Sequence, residues 1–235
     1  VGLNAAISIK SQSPALDVRV VERGFLPYGA STRNAGFACF GSMTELISDL
    51  QNSSMDQVMS LVTKRWEGLN ALRQMLGDKT LDYEPLGGYE VFTSEDQLIF
   101  QQAMTLMDDF NQEIESATGL KGVFCETSDK LEHFGLKGMR HMLWNSAEGQ
   151  LDTGKMMHAL INLAETKGIR IHTGVNVEEI EEDDRGITLI TNEGFRLGTS
   201  YVLMATNGFT GRIRPDVGVR PARAQVLRSE EHTSE

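Results

Sequence analysis

Apolar positions along the chain change period several times, and each change predicts an element. Val58, Val62, Trp66, Leu69, Leu72 and Leu76 recur at intervals of three or four. Residues 54–76 therefore read as one amphipathic helix, with Ser54 as its cap and Gly77 as its end. After the turn Pro85-Leu86-Gly87-Gly88, the run Tyr89–Thr93 alternates as a strand does. A second helix is expected to start at Ser94 and to carry Leu98, Met107, Phe110 and Ile114, its methionines serving as core packing. Met139–Trp144 is a further strand candidate, followed by a polar turn over 146–150.

The two ends of the chain follow a different pattern. Val18, Val20 and Val21 form a short β-branched run, as expected of a buried parallel strand, and it ends in Glu22. Asp152-Thr153 caps a helix through Met156, Met157, Leu160, Ile161 and Ala164, closed by Gly168, and Ile169–His172 follows as a strand. That is a crossover leading to a parallel strand. Ile187–Thr191 and Phe195–Leu197 pair as a hairpin around Asn192-Glu193-Gly194, and Tyr201–Met204 reads as the next buried strand.

Candidate chemistry clusters in the first forty residues. Gly2-Leu3-Asn4-Ala5-Ala6 opens a helix with small residues, and Glu22 lies about twenty residues further on, the separation expected between a dinucleotide fingerprint and its ribose carboxylate. Val1-Gly2 then reads as the end of G-x-G-x-x-G, with the first strand and most of the phosphate turn expected upstream. No further G-x-G-x-x-G follows. Ala30-Ser31-Thr32-Arg33-Asn34-Ala35-Gly36-Phe37 packs small residues around hydroxyls, an arginine and an amide, so backbone N–H groups can approach a planar polar ligand.

Gly29-Ala30-Ser31 and Arg33-Asn34-Ala35-Gly36-Phe37, following Val20-Val21-Glu22-Arg23, resemble the D-amino-acid oxidase-like superfamily of FAD-dependent oxidoreductases. The resemblance implies Glu22 and Arg23 at the adenosine ribose, Ala30 and Ser31 on the phosphate side, and Ala35, Gly36 and Phe37 at the flavin, with Arg33 and Asn34 in the same loop. It continues through Gly149-Gln150-Leu151-Asp152 and Gly168–Val177, with the Val177 backbone on the adenine side. Ala205-Thr206-Asn207-Gly208-Phe209 is similar to the family motif that closes over the dinucleotide. Val219–Gln225 looks like its return strand.

The implied fold is α/β: a Rossmann-like FAD-binding domain lacking its first strand, over 1–42 and 151–218, with an interleaved α+β substrate domain over 43–150. A return strand spans 219–227. The terminal RSEEHTSE, 228–235, has no periodicity or apolar anchor and is expected to be a non-native tail.

Composition narrows the partners. A chain of 235 residues, 40% hydrophobic, can bury a sizeable core. The net charge of −11, with no cluster of Lys and Arg, excludes nucleic acid as the expected partner. No apolar run reaches membrane-spanning length. Cys39 and Cys125 are far apart and form no C-x-x-C, which fits a reducing, cytoplasmic compartment. His133, His158 and His172 show no metal-ligand spacing, so no metal is expected. Arg140 is a candidate to hold a substrate carboxylate and His141 a candidate base; the competing readings are an exposed cation and a half-buried histidine.

The expected function is FAD-dependent oxidation of a small amine or amino acid. Hydride transfer from a neutral amine needs no strong side-chain base, so no catalytic residue is named. The alternatives are oxidation of a 2-hydroxy acid or polyol phosphate, and a nucleotide-binding fragment without chemistry. Without the upstream turn, the 235 residues are not expected to retain FAD.

Overall fold

The computed structural model describes residues 1–184 and 186–222. In chain order the elements are α1 (Gly2–Gln12), β1 (Arg19–Val21), β2 (Phe37–Ala38), α2 (Met43–Leu50), α3 (Met55–Leu76), α4 (Asp78–Leu81), β3 (Gly88–Phe92), α5 (Gln97–Thr118), β4 (Phe124–Glu126), β5 (His141–Asn145), β6 (Gly149–Gln150), α6 (Thr153–Thr166), β7 (Arg170–His172), β8 (Val177–Asp183), β9 (Gly186–Thr191), β10 (Arg196–Thr199) and α7 (Thr210–Ile213). They fall into two compact units. The first joins 1–35 to the described residues from Thr153 on, and the second is Gly36–Asp152.

In the first unit β1 and β7 pair in parallel, with Val20 opposite Ile171. Parallel neighbours need a long crossover, which explains why residues so far apart in sequence meet here. Asp17 clamps the start of the pair: its carboxylate takes hydrogen bonds from Arg19 at 2.8 Å and from Arg170. Helices α1 and α6 pack together, burying Ala6, Ile7, Leu160 and Ala164. The expectation of a buried strand at 18–21 is corrected. Arg19 is exposed and Val20 and Val21 are only half-buried.

The antiparallel order β10-β9-β8 completes the first unit's sheets. The expected hairpin is present. Strand β8 escaped the sequence reading because its register jumps between Val177 and Glu179, and such a bulge breaks the alternation that marks a strand. Tyr201–Met204 is not a strand, against expectation. Its residues alternate between exposed and half-buried, but no described strand pairs with them, and a strand needs a ladder as well as an apolar run. Residues 219–222 form no strand either; the rest of the expected return strand and the terminal RSEEHTSE lie outside the described residues.

The second unit holds the larger core, with Phe40, Leu46, Val62, Phe110 and Ile114 each at most 1% exposed. Helix α3 starts with a full capping box: Ser54 Oγ accepts from Gln57 N–H, and Gln57 Oε1 accepts from Ser54 N–H at 2.9 Å. Helix α5 buries Phe100, Ala103, Met107, Phe110 and Ile114. Two details differ from expectation. The residue before its first turn is Asp96, whose carboxylate makes no capping bond and instead takes the Thr93 N–H at 2.8 Å and hydroxyl at 2.7 Å, and Leu98 lies off the buried stripe, 81% exposed.

Strands β3-β5-β4 form the three-stranded antiparallel sheet of this unit, with Tyr89 opposite Trp144, and β2 pairs with β6 in a second, two-stranded one. Gly87 makes the approach to that sheet possible. Its φ is +70°, and a Cβ there would lie 1.8 Å from the Trp144 indole.

Candidate cofactor site

In the first unit, β1 ends where Glu22 begins, and the backbone stays tied to β7: Glu22 N–H donates to His172 O at 2.8 Å and Glu22 O accepts from Val175 N–H at 3.0 Å. The carboxylate therefore sits at the C-terminal end of the parallel pair, the end where α/β sheets bind ligands. Glu22 Oε1 accepts from Gly24 N–H at 2.8 Å, and Oε2 has no hydrogen-bond partner among the described residues. Val177 opens β8 two residues after Val175.

Two further segments, the start of α1 and residues 205–212, approach this end. Helix α1 begins at Gly2 with no side-chain cap on its first N–H groups. A Cβ on Gly2 would come within 3.3 Å of the Ala205 Cβ, so small residues at both positions let the helix start approach 205–208. The Arg23 guanidinium lies 4.6 Å from the Phe209 ring centroid, and that of Arg212 lies 5.1 Å from the same ring. Thr206 and Thr210 share a hydroxyl hydrogen bond at 2.9 Å, and Asn207 sits in the left-handed region at φ 44°. Arg212 was not among the sequence candidates. Its only signal was its place one helical turn past Gly208-Phe209.

The loop that follows is held by its own contacts. Thr32 N–H donates to Gly29 O at 3.1 Å, Asn34 Nδ2 donates to Ala30 O at 2.8 Å, and the Arg33 guanidinium lies 5.4 Å from the Tyr28 ring centroid. Ala30, Ser31, Arg33, Asn34 and Ala35 are exposed.

The remaining candidates belong to the second unit. Gly36 has φ +78°, its carbonyl accepts from Leu151 N–H at 2.9 Å, and a Cβ on it would lie 2.1 Å from the Leu151 carbonyl oxygen. The close approach that this glycine permits within its own unit is thus to Leu151. Phe37 opens β2 and is 70% exposed. Arg140 is exposed and makes no ion pair among the described residues; its N–H extends the β3–β5 ladder to Phe92 O at 2.7 Å. His141 is half-buried, stacked on Phe100 with centroids 3.8 Å apart, and its Nε2 is 3.1 Å from Gln97 Oε1.

A carboxylate group nearby in the second unit was not anticipated. Glu90 accepts hydrogen bonds from the Ser42 and Thr44 hydroxyls at the start of α2. Glu148 accepts from the buried Asn145 amide at 3.0 Å. Burial, together with the like charges of Glu90 and Glu45, raises the Glu148 carboxyl above its ordinary value, against the opposing Asn145 hydrogen bond. Among the described residues, no group of three or more His, Cys, Asp or Glu is placed to hold a metal ion, and no helix is long and apolar enough to cross a membrane.

Comparison with solved structures finds the same fold in several enzymes. Glycine oxidase from Geobacillus kaustophilus superposes with a TM-score of 0.66 at 19% identity, over 92% of this chain and 56% of that one. L-amino acid deaminase from Proteus vulgaris gives 0.59 at 21%, over 88% and 46%, and L-proline dehydrogenase from P. horikoshii gives 0.60 at 18%, over 94% and 54%. The chain spans about half the length of these structures. At such identities the likeness is one of fold. No protein of curated function matches the chain. The family model described as FAD dependent oxidoreductase (DAO) matches residues 1–235, and the chain belongs to that family.

Proposed function

We propose that the protein oxidises a small amine or amino acid, with FAD held largely by the first unit. The observation that carries the reading is the convergence of Gly2, Glu22, Arg23 and Ala205–Phe209 at the C-terminal end of the β1–β7 pair. These groups suit the adenosine and diphosphate of FAD. Glu22 Oε2 is available to accept a ribose hydroxyl, while Oε1 is anchored by Gly24 N–H. The N–H groups at the start of α1, which carry no side-chain cap, favour negative charge, and the two small residues Gly2 and Ala205 meet beside them. Arg23, stacked on Phe209, presents a flat cation beside the ribose carboxylate. Residues 30–35, with Val177, complete the proposed contacts within this unit.

FAD, when bound, supplies the hydride acceptor; the protein positions the substrate against it. We assign 1–42 and 151–218 to the cofactor domain and 43–150 to the substrate domain. The division into compact units near residues 35 and 152 supports that assignment. Arg140 remains a candidate to pair with a substrate carboxylate. His141 is the weaker candidate, since its ring is engaged with Phe100 and Gln97. Free Cys39 and Cys125 support a reducing, cytoplasmic setting. The solved neighbours named for glycine, L-amino acids and L-proline support an amine substrate.

The test is anaerobic mixing of full-length protein with bound FAD with panels of amino acids, N-methyl amines, 2-hydroxy acids and NADH. A member of the amine panels should bleach the flavin. Bleaching by 2-hydroxy acids alone would replace the substrate class, and rapid reduction by NADH without response to any amine would overturn the reading.

A further inference from the structure

We propose that Asn207 is a site of spontaneous deamidation. Asn207-Gly208 is the one Asn-Gly pair in the sequence. Asn207 is exposed, its φ is 44°, and its side-chain amide has no hydrogen-bond partner among the described residues. Glycine places no side chain beside the attacking nitrogen. The Gly208 N–H also donates to no backbone carbonyl among the described residues, whereas Phe209 N–H is tied to Thr206 O at 2.9 Å.

Other asparagines lack one or more of these conditions. Asn145 is buried and bonded to Glu148, and Asn111 is held on both sides by Phe124, at 2.9 and 2.8 Å. Asn34, Asn162 and Asn176 donate their amides to Ala30, His158 and Glu178. Asn4, Asn52, Asn70 and Asn192 precede Ala5, Ser53, Ala71 and Glu193, whose side chains crowd the attack.

The reaction balances without an oxidant or a partner. The Gly208 backbone nitrogen forms a bond to Asn207 Cγ, the Cγ–Nδ2 bond breaks, and ammonia leaves with the proton lost from the Gly208 amide. Water then opens the cyclic imide at either carbonyl, giving aspartate or isoaspartate. The net change is one water in and one ammonia out. Each product adds a negative charge at 207, and isoaspartate also lengthens the backbone by one atom. On the proposed reading of Ala205–Gly208 as a diphosphate-facing segment, ageing would thus place a carboxylate against the cofactor's own charge.

The modification itself is tested without any cofactor. The chain is held in mildly alkaline buffer, sampled over time, digested with trypsin and weighed. The peptide Leu197–Arg212 contains a single asparagine, Asn207. It should gain the mass difference between an amide and an acid, and resolve into two isomers, before any other asparagine-containing peptide changes. Asn207→Gly, which keeps the left-handed backbone at no steric cost, should abolish the gain, and Gly208→Ala should slow it. An unchanged Leu197–Arg212 peptide while others are modified would overturn the proposal, as would a gain that persists in Asn207→Gly. Because the readout is mass, its failure is distinct from a failure of the flavin assignment.

Discussion

Replacing Gly36 by alanine tests whether this glycine is required by the fold. Its φ of +78° lies in the left-handed region, where a Cβ costs about 1–2 kcal/mol. The added Cβ would also lie 2.1 Å from the Leu151 carbonyl oxygen, and 3.3 Å from the carbon that bears it. A backbone carbonyl cannot rotate aside as a side-chain end can, because Leu151 N–H is bonded back to Gly36 O at 2.9 Å. Gly36 and Leu151 flank the antiparallel pair of β2 with β6, in which Phe37 lies opposite Gln150, so relief requires those two strands to separate, at the roughly 1–3 kcal/mol typical of overpacking. Together the two effects predict a loss of about 2–5 kcal/mol. Both tryptophans, Trp66 and Trp144, belong to the second unit, so urea unfolding followed by indole fluorescence reports on the unit that contains Gly36. Gly68→Ala is the control of opposite sign: it lies inside α3 with nothing within 4 Å of a Cβ, and should gain about 0.5–1 kcal/mol. A loss at Gly36 smaller than about 0.5 kcal/mol, the range of ordinary surface changes, would refute the reasoning.

Three other outcomes are expected. Ser54→Ala removes the side-chain half of the capping box, the bond from Gln57 N–H to Ser54 Oγ, and should cost about 1 kcal/mol in the same unfolding assay. In the full-length protein Glu22→Ala should weaken FAD binding, since charge-assisted hydrogen bonds contribute about 1.5–3 kcal/mol each; an unchanged Kd with the fold intact would remove Glu22 from the site. Hydrogen bonds from Arg19 and Arg170 lower the Asp17 carboxyl from 3.8 to about 2. Because this folded-state value is depressed, the stabilisation is present above the unfolded value and lost as pH falls from about 4 to about 2. The stability difference between wild type and Asp17→Asn should therefore shrink across that window, and a difference independent of pH would contradict the clamp.

Elements whose signal is local were legible from the residues alone. The period of α3 and its Ser54–Gln57 cap, the alternation of β3, the hairpin around Asn192-Glu193-Gly194 and the passage from α6 to β7 all rest on neighbours within a few residues. The start of α1 at Gly2 and the end of β1 before Glu22 were equally readable, because helix starts and strand ends are marked by neighbouring residues. What required the tertiary structure depends on partners distant in sequence. Tyr201–Met204 has a strand's composition but no described strand beside it, and β8 has a ladder but a bulge that hides its period. The close contact at Gly36 is with Leu151, Arg23 meets Phe209, and the Glu148 carboxyl is raised by burial and by Glu90 and Glu45. A sequence states which groups are available to pack, bond and repel. Which of them meet is set by how distant segments bury their apolar faces together, since burial acts on the whole chain and not on any single stretch.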